Sequence, residues 1–372
     1  MDVFTALRYG FGTASLLAGG WVLRALQGTS AALGATPAEI APVARRSPHY
    51  RDGKFNNLEP SSSGLPMDRE LQRKLLRDLA NAGALGKPPG PIPLKEPPEV
   101  DPTPADAAAS WYGHSSVLIE VDGYRVLADP VWSERCSPSR AVGPQRLHDV
   151  PLLLEALPAV DAVVISHDHY DHLDIDTIGA LARTQRAPFV VPLGIGVHLR
   201  KWGIPESRIV ELDWYEAHRI GDLTLVCTPA RHFSGRLFSR DSTLWASWVI
   251  TGPQHRAFFG GDTGYTKSFA DIGAEYGPFD LTLLPIGAYH PAFADIHMNP
   301  EEAVRAHLDL ADVERSLMVP IHWATFRLAP HPWAEPVERL VTAAEVDRVR
   351  IAVPIPGERV VPDSTYDPWW RP

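Results

Sequence analysis

The chain has 372 residues, 45% of them hydrophobic, and a formal charge of −10 at pH 7. That is enough apolar material for a substantial core, in two domains or in one large α/β domain with an N-terminal extension. The acidic balance argues against broad nucleic-acid binding, which needs a concentrated basic surface, and leaves only a local patch for any attraction to anionic lipid. Two cysteines, Cys136 and Cys227, are too few for a disulfide framework, although a single bridge is allowed.

Residues 1–40 include an apolar run from Tyr9 to Leu23, bounded by Arg8 and Arg24. At about 15 residues it falls short of the roughly 20 needed to cross a bilayer. Three readings fit it: a signal sequence (against which Asp2 counts), a membrane-surface helix, or a helix packed on the domain. Residues 41–65, with Pro, Ser and Asn, predict an extended arm. Leu71, Leu75, Leu76 and Leu79 recur at helical spacing and predict a helix over 67–82. Lys87 to Pro104 holds eight prolines in 18 residues, which suits an extended linker. The chain thus divides into an apolar segment (1–40), an arm with a Pro-rich linker (41–104) and a catalytic-type domain (105–372).

From Ser110 onward strands and helices mix. Strands are expected at 116–121, 124–129, 162–166, 188–192, 223–228, 244–251, 256–260, 281–285 and 316–320. Helices are expected at 149–157, 174–184, 194–201 and 300–310. Adjacent strands such as 116–121 and 124–129 have the look of an antiparallel pair, which argues against a simple doubly wound parallel sheet. The tail after Pro354 gives no clear signal, and no internal repeat is present.

The densest chemistry lies at 166–174, Ser-His-Asp-His-Tyr-Asp-His-Leu-Asp, directly after the apolar run Ala162-Val163-Val164-Ile165. His167, His169, Asp171 and His172 place four ligand-type side chains within six positions. Imidazole and carboxylate donors suit zinc, and a pair of such ions can activate water near neutral pH. One loop cannot supply every donor of a binuclear site. His232, Asp262 and His322 each follow an apolar, strand-like run and complete the set. Asp168 and Asp174, flanking the motif, are expected to cap the next helix or face solvent.

The order His-x-His-x-Asp-His, His, Asp, His resembles the metallo-β-lactamase superfamily. The surrounding words are more specific: Trp111-Tyr-Gly-His-Ser-Ser, Leu127-Ala-Asp-Pro, Gly260-Gly-Asp-Thr-Gly-Tyr, Gly287-Ala-Tyr, Asn299-Pro-Glu-Glu-Ala and Ile321-His-Trp-Ala-Thr-Phe. They are similar to N-acylphosphatidylethanolamine-hydrolysing phospholipase D and its bacterial relatives, over about residues 45–340. The resemblance implies an αββα sandwich, two mixed sheets face to face with helices outside. It implies one zinc at His167, His169 and His232, a second at Asp171, His172 and His322, and Asp262 bridging them, with iron or manganese also compatible with such donors. It further implies a phosphodiester substrate, with phosphatidic acid and an N-acylethanolamine as products. Asp171 and Asp262 would then be catalytic as well as ligands.

His297 matches a family histidine near the phosphate and would donate a hydrogen bond or protonate the leaving oxygen; the alternative is a loop histidine before the helix opening at Pro300. Asp129 and His114 are candidates for supporting the ligand histidines, or for structural hydrogen bonds. After Gly287-Ala-Tyr the chain departs from the mammalian pattern, reading His290-Pro291-Ala292-Phe293-Ala294-Asp295 where an acid, Pro and Arg-Trp stand there. Tyr289, Phe293 and His297 are expected at the substrate wall, with Phe293, Trp132, Trp214, Phe233 and Phe238 as candidate acyl-groove residues. Two other readings remain: hydrolysis of a lactone, thioester or β-lactam by the same centre, or a non-enzymatic, metal-stabilised envelope protein. Peripheral membrane contact fits a lipid substrate. Both a cytoplasmic and a membrane-associated or envelope address stay open, as does the oligomeric state.

Overall fold

The computed structural model describes residues 25–61, 68–96 and 103–371. The apolar run Tyr9–Leu23 and prolines 97, 98 and 102 lie outside them. No helix among the described residues is long and apolar enough to cross a membrane.

Strands β3 (Ala107–Trp111), β4 (Val117–Val121), β5 (Tyr124–Ala128), β6 (Ala162–Val164), β7 (Phe189–Pro192), β8 (Ile209–Leu212) and β15 (Arg359–Val360) build a seven-stranded sheet in the order β15-β3-β4-β5-β6-β7-β8. Strands β9 (Ala217–Ile220), β10 (Leu223–Thr228), β11 (Ser247–Thr251), β12 (Arg256–Phe259), β13 (Leu281–Pro285) and β14 (Leu317–Ile321) build a six-stranded sheet, ordered β14-β13-β12-β11-β10-β9. Each sheet has a parallel half, β5 to β8 and β12 to β14, and an antiparallel half. The parallel strands reach their neighbours through crossovers, which put helices on the outer faces.

Period-2 alternation shows the layering. Val117, Ile119 and Val121 of β4 and Val126 and Ala128 of β5 belong to the large core that takes in Leu225, Val249 and Phe259 of the other sheet. Leu118, Leu127, Val163 and Phe189 point the other way. There they meet Ile178 and Leu181 of α4 (Ile175–Thr184) and Ile195 and Leu199 of α5 (Ile195–Lys201). Burial on both faces explains the unbroken apolar run 162–165. On the far side, α7 (Pro300–Leu310) and α8 (Glu335–Asp347) add Ala303, Val304, Val337 and Leu340 to the large core, and α6 (Ser268–Tyr276) adds Phe269 and Ile272. The arrangement is the αββα sandwich.

The expected helix at 149–157 shrinks to a single 3₁₀ turn at Leu154–Ala156, because Pro151 and Pro158 bracket the segment. Strands β3, β8, β9 and β15 and helices α6 and α8 were not anticipated; their runs are short or lack clean alternation. Residues 41–65 are not simply an extended arm. Helix α1 (Thr29–Ala32) is followed by α2 (Pro37–Ala44), opened by a Thr36/Glu39 capping box, and by a small hairpin of β1 (Tyr50–Arg51) and β2 (Lys54–Phe55). Ile40, Ala44 and Phe55 enter the main core. Helix α3 (Arg69–Asn81) lies within the predicted 67–82. The tail also has a role: Trp369 and Trp370 pack with Trp323 and Trp333, and the prolines at 88–93 lie against them. Cys136 and Cys227 are both buried and free, so no bridge joins them.

Trp248 ties one sheet to the start of the motif loop on the other, its Nε1 donating to Ile165 O at 3.0 Å from a fully buried position. Trp248→Phe keeps most of the packing but leaves that carbonyl unpaired. It is expected to cost about 1–3 kcal/mol in urea unfolding with an unchanged m-value.

Candidate metal centre

Four strand ends and their following loops deliver the ligand-type residues. His167, His169, Asp171 and His172 follow β6, His232 follows β10, Asp262 follows β12 and His322 follows β14. All seven converge. His167 Nε2 lies 2.7 Å from His169 Nδ1, which lies 3.4 Å from His232 Nε2. On the other side, His172 Nε2 and His322 Nε2 lie 3.4 and 3.5 Å from Asp171 Oδ2. Asp262 Oδ2 stands between the two groups: 2.9 Å from His322, 3.2 Å from His172, 3.8 Å from His232 and 3.9 Å from His167.

A network behind the ring fixes the imidazoles. His172 Nδ1 is 2.6 Å from Asp129 Oδ2, His232 Nδ1 is 2.8 Å from Ile296 O, and His167 Nδ1 is 2.9 Å from Ser166 Oγ. Ser166 donates onward to Asp129 through both Oγ and backbone N. Each Nδ1–H is thereby committed, leaving an Nε2 lone pair aimed at the centre. His114 serves the other carboxylate: its Nε2 is 2.9 Å from Asp171 Oδ2, and its carbonyl accepts from the His322 N–H at 2.9 Å. Thr325 Oγ1 accepts from His114 N at 2.6 Å and meets His148 Nε2 at 2.9 Å.

Backbone strain gathers at the same place. Asp129, His114 and His322 all adopt positive φ, at 40°, 52° and 60°, a region that costs side-chain-bearing residues energy and persists where the surroundings over-determine it. Gly261, before Asp262, has φ 56°, and a Cβ there would sit 2.5 Å from Ser166 Cβ. Only glycine lets the β12 loop approach the motif loop so closely.

The donor set fits cations. His172 Nε2, His322 Nε2 and Asp262 Oδ1 are buried with no hydrogen-bond partner. Donor atoms within 4.8 Å of one another fall into four overlapping groups: His114, Asp171, His172 and His322; His167, His169 and His232; His167, His172 and Asp262; and His232, Asp262 and His297. Burial opposes ionisation of Asp171 and Asp262, yet His172 and the other imidazoles beside them hold both carboxyls well below their ordinary range. Burial likewise disfavours charge on His322, but Asp262 and Asp171 raise it to about 9. Two buried carboxylates demand positive charge, from protons or from metal. Burial and the neighbouring His322 push His114 down to about 3, so it meets Asp171 as a neutral imidazole.

His297 flanks the ring, its Nδ1 4.0 Å from Asp262 Oδ2, and burial lowers it to about 4. It also lines a cavity of about 440 Å³ whose wall includes Lys74, Tyr289, Glu335 and Arg339. Tyr289 donates to Glu335 at 2.6 Å and stacks on His331. Phe293 packs near His290 and His297. The expected apolar groove is not assembled. Trp214 is core, Trp132 packs on Tyr112, and Phe238 stands 84% exposed; of that set Phe233 touches the centre, against His169.

Asp174 caps α4, as expected. Asp168 neither caps nor faces solvent. It is fully buried, accepting from Gly235 N at 2.6 Å beside His198 at 3.4 Å, while Arg236 donates to its carbonyl. Between His167 and His169, its side chain turns inward and anchors the loop from behind. Asn57 was missed altogether. It brackets His232 with a donated and an accepted bond, at 2.8 and 3.1 Å, from 175 residues away. No local pattern signals such a partner.

Residues 124–323 match the family described as the beta-lactamase superfamily domain. An uncharacterized protein of Mycobacterium tuberculosis is 63% identical over 98% of this chain and 99% of its own. The N-acyl-phosphatidylethanolamine-hydrolyzing phospholipase D 1 of Caenorhabditis elegans is 37% identical over 62% of this chain and 68% of its own length. Igni18, a metallo hydrolase from Ignicoccus hospitalis, aligns with a TM-score of 0.53 and 25% identity over 68% of this chain and 97% of that structure.

Asp129→Asn replaces one of the two oxygens that accept from His172 and Ser166 with an NH2 donor, so the two residues can no longer both be held. It should lower metal affinity roughly 10–100-fold, read by titration with a competing chelator. Gly261→Ala should destabilise by about 2–4 kcal/mol in chemical denaturation, from left-handed strain plus overpacking.

Proposed function

This chain belongs to the metallo-β-lactamase superfamily of metal-dependent hydrolases, in the branch of the N-acylphosphatidylethanolamine-hydrolysing phospholipases D, and from that premise we propose that it is a binuclear phosphodiesterase acting on a phospholipid. The observation that carries the binuclear reading is the position of Asp262 Oδ2, one oxygen within 4 Å of imidazoles from both donor groups. His167, His169 and His232 would hold one ion and Asp171, His172 and His322 the other, with Asp262 placed to serve both. Zinc suits these donors best, and iron or manganese would also be accepted. Two divalent ions there would lower the pKa of a water and, against only two carboxylates, leave positive charge to meet an anionic phosphodiester.

The protein's own groups do the rest. His297, neutral through burial, offers an N–H toward the cavity, where it can hydrogen-bond a phosphoryl or leaving-group oxygen. Lys74 and Arg339 add positive charge to the cavity wall, while Asp78, Glu302 and Glu335 could meet an amine or amide. A space of about 440 Å³ with charged groups on its wall suits a headgroup rather than several acyl chains. The favoured substrate is N-acylphosphatidylethanolamine-like, giving phosphatidic acid and an N-acylethanolamine. The similarity to the worm enzyme supports that choice over a carbonyl substrate.

The test pairs turnover with elemental analysis. The purified protein should hydrolyse bis(p-nitrophenyl) phosphate and the lipid faster than lactones or cephalosporins; the reverse order would overturn the phosphodiesterase reading. Asp262→Asn should keep its circular dichroism and lose more than roughly 100-fold in rate, since even outer partners of a metal site contribute that much. His297→Ala should retain both ions and lose on the order of 10²–10⁴ in kcat. A drop in its metal content would instead make His297 a ligand.

A further inference from the structure

Helix α3 is turned in an unusual way. The side chains it directs inward are Leu71, Leu75 and Asp78, and even these are only half-buried; no residue of the helix is fully buried. Its polar tie to the domain is Asp78, whose Oδ2 lies 3.0 Å from His290 Nε2 and 2.5 Å from Lys74 Nζ. Leu76 and Leu79 are left 61% and 50% exposed. Beside them run Arg69, Arg73 and Arg77, four residues apart and therefore on one face. All three are exposed, and among the described residues none of them makes an ion pair. Leu85, just past the helix, is another exposed leucine, at 66%.

We propose that α3 is a docking element for an anionic membrane surface, its arginine row meeting lipid phosphates while Leu76 and Leu79 enter the headgroup boundary. Exposed leucines beside a basic row are what an interfacial helix needs: apolar area to bury and cations to attract. The charge argument selects the occupant. A chain of net charge −10 is repelled overall by an anionic bilayer, so a local row of three arginines is the feature that lets this face approach. A second copy of the same face would instead bring arginine against arginine. The docked geometry also has a use: Lys74 and Asp78 of the same helix line the cavity that reaches His297. Docking on α3 therefore brings that cavity close to the headgroups, while acyl chains stay in the bilayer. The docking does not depend on which bond the centre cleaves.

The test uses the full chain and sedimentation with vesicles of phosphatidylcholine, alone or mixed with phosphatidylglycerol. Binding should require phosphatidylglycerol and fall as salt rises. Arg69→Gln with Arg73→Gln and Arg77→Gln should lower partitioning on the order of 100-fold. Leu76→Gln with Leu79→Gln should lower it roughly 10-fold. Both variants should keep the circular dichroism and the turnover of a water-soluble phosphodiester. Equal binding to phosphatidylcholine alone, or binding indifferent to both sets of substitutions, would overturn the proposal. So would a lipid-free dimer, seen by sedimentation equilibrium, that dissociates when Leu76 and Leu79 are replaced.

Discussion

One carboxylate oxygen organises this molecule. Asp262 Oδ2 lies within 4.0 Å of five imidazole nitrogens, from His167, His172, His232, His297 and His322, and its side chain is almost wholly buried. A buried carboxylate is costly unless positive charge or hydrogen bonds surround it. Here the compensation comes from rings presented by four further loops, so the edge of the sandwich must bring all of those loops to one point. The parallel halves of the two sheets do this: β6, β12 and β14 all run toward the same edge and release their chains there, as does β10.

The surrounding strain follows from that demand. Asp129, His114 and His322 keep left-handed backbone because their side chains or carbonyls are committed to the centre. The Asp129–Ser166–His167 chain and the Asp129–His172 contact make one carboxylate orient two rings at once. Behind the loop, Arg236 holds the carbonyls of Asp168 and Leu173 and also that of Ala32. The N-terminal arm is thus bonded to the motif loop, and Asn57 extends that hold to His232. Residues outside the matched family region therefore help to build the centre.

Polarity divides the surface next to it. The cavity beside His297 sets charged side chains such as Lys74, Glu335 and Arg339 among prolines and histidines, whereas the exposed leucines Leu76 and Leu79 sit outside it on α3. On the phospholipid reading proposed above, that division would separate the two ends of the substrate, the headgroup toward the candidate metal centre and the chains toward the bilayer. It replaces the aromatic acyl groove anticipated from Trp132, Trp214, Phe233, Phe238 and Phe293, most of which pack elsewhere.

The sequence by itself determined the inventory of ligand-type side chains and the strands that carry it. A dense His/Asp loop after an apolar run is a local pattern, and so is each strand whose burial on both faces leaves an unbroken apolar stretch. The cap at Asp174 was legible for the same reason, and a capping box at Thr36–Glu39 was present to be read. Short edge strands such as β9 and β15 were not, because a few residues on a half-exposed edge carry too little pattern. Only the tertiary structure decided what stands behind the ligands. Asn57 meets His232 across 175 residues and Asp129 meets His172 across 43, and Asp168 turns inward where a cap or a solvent-facing carboxylate was expected. Periodicity reports which side of an element is buried; it is silent on which distant side chain waits there.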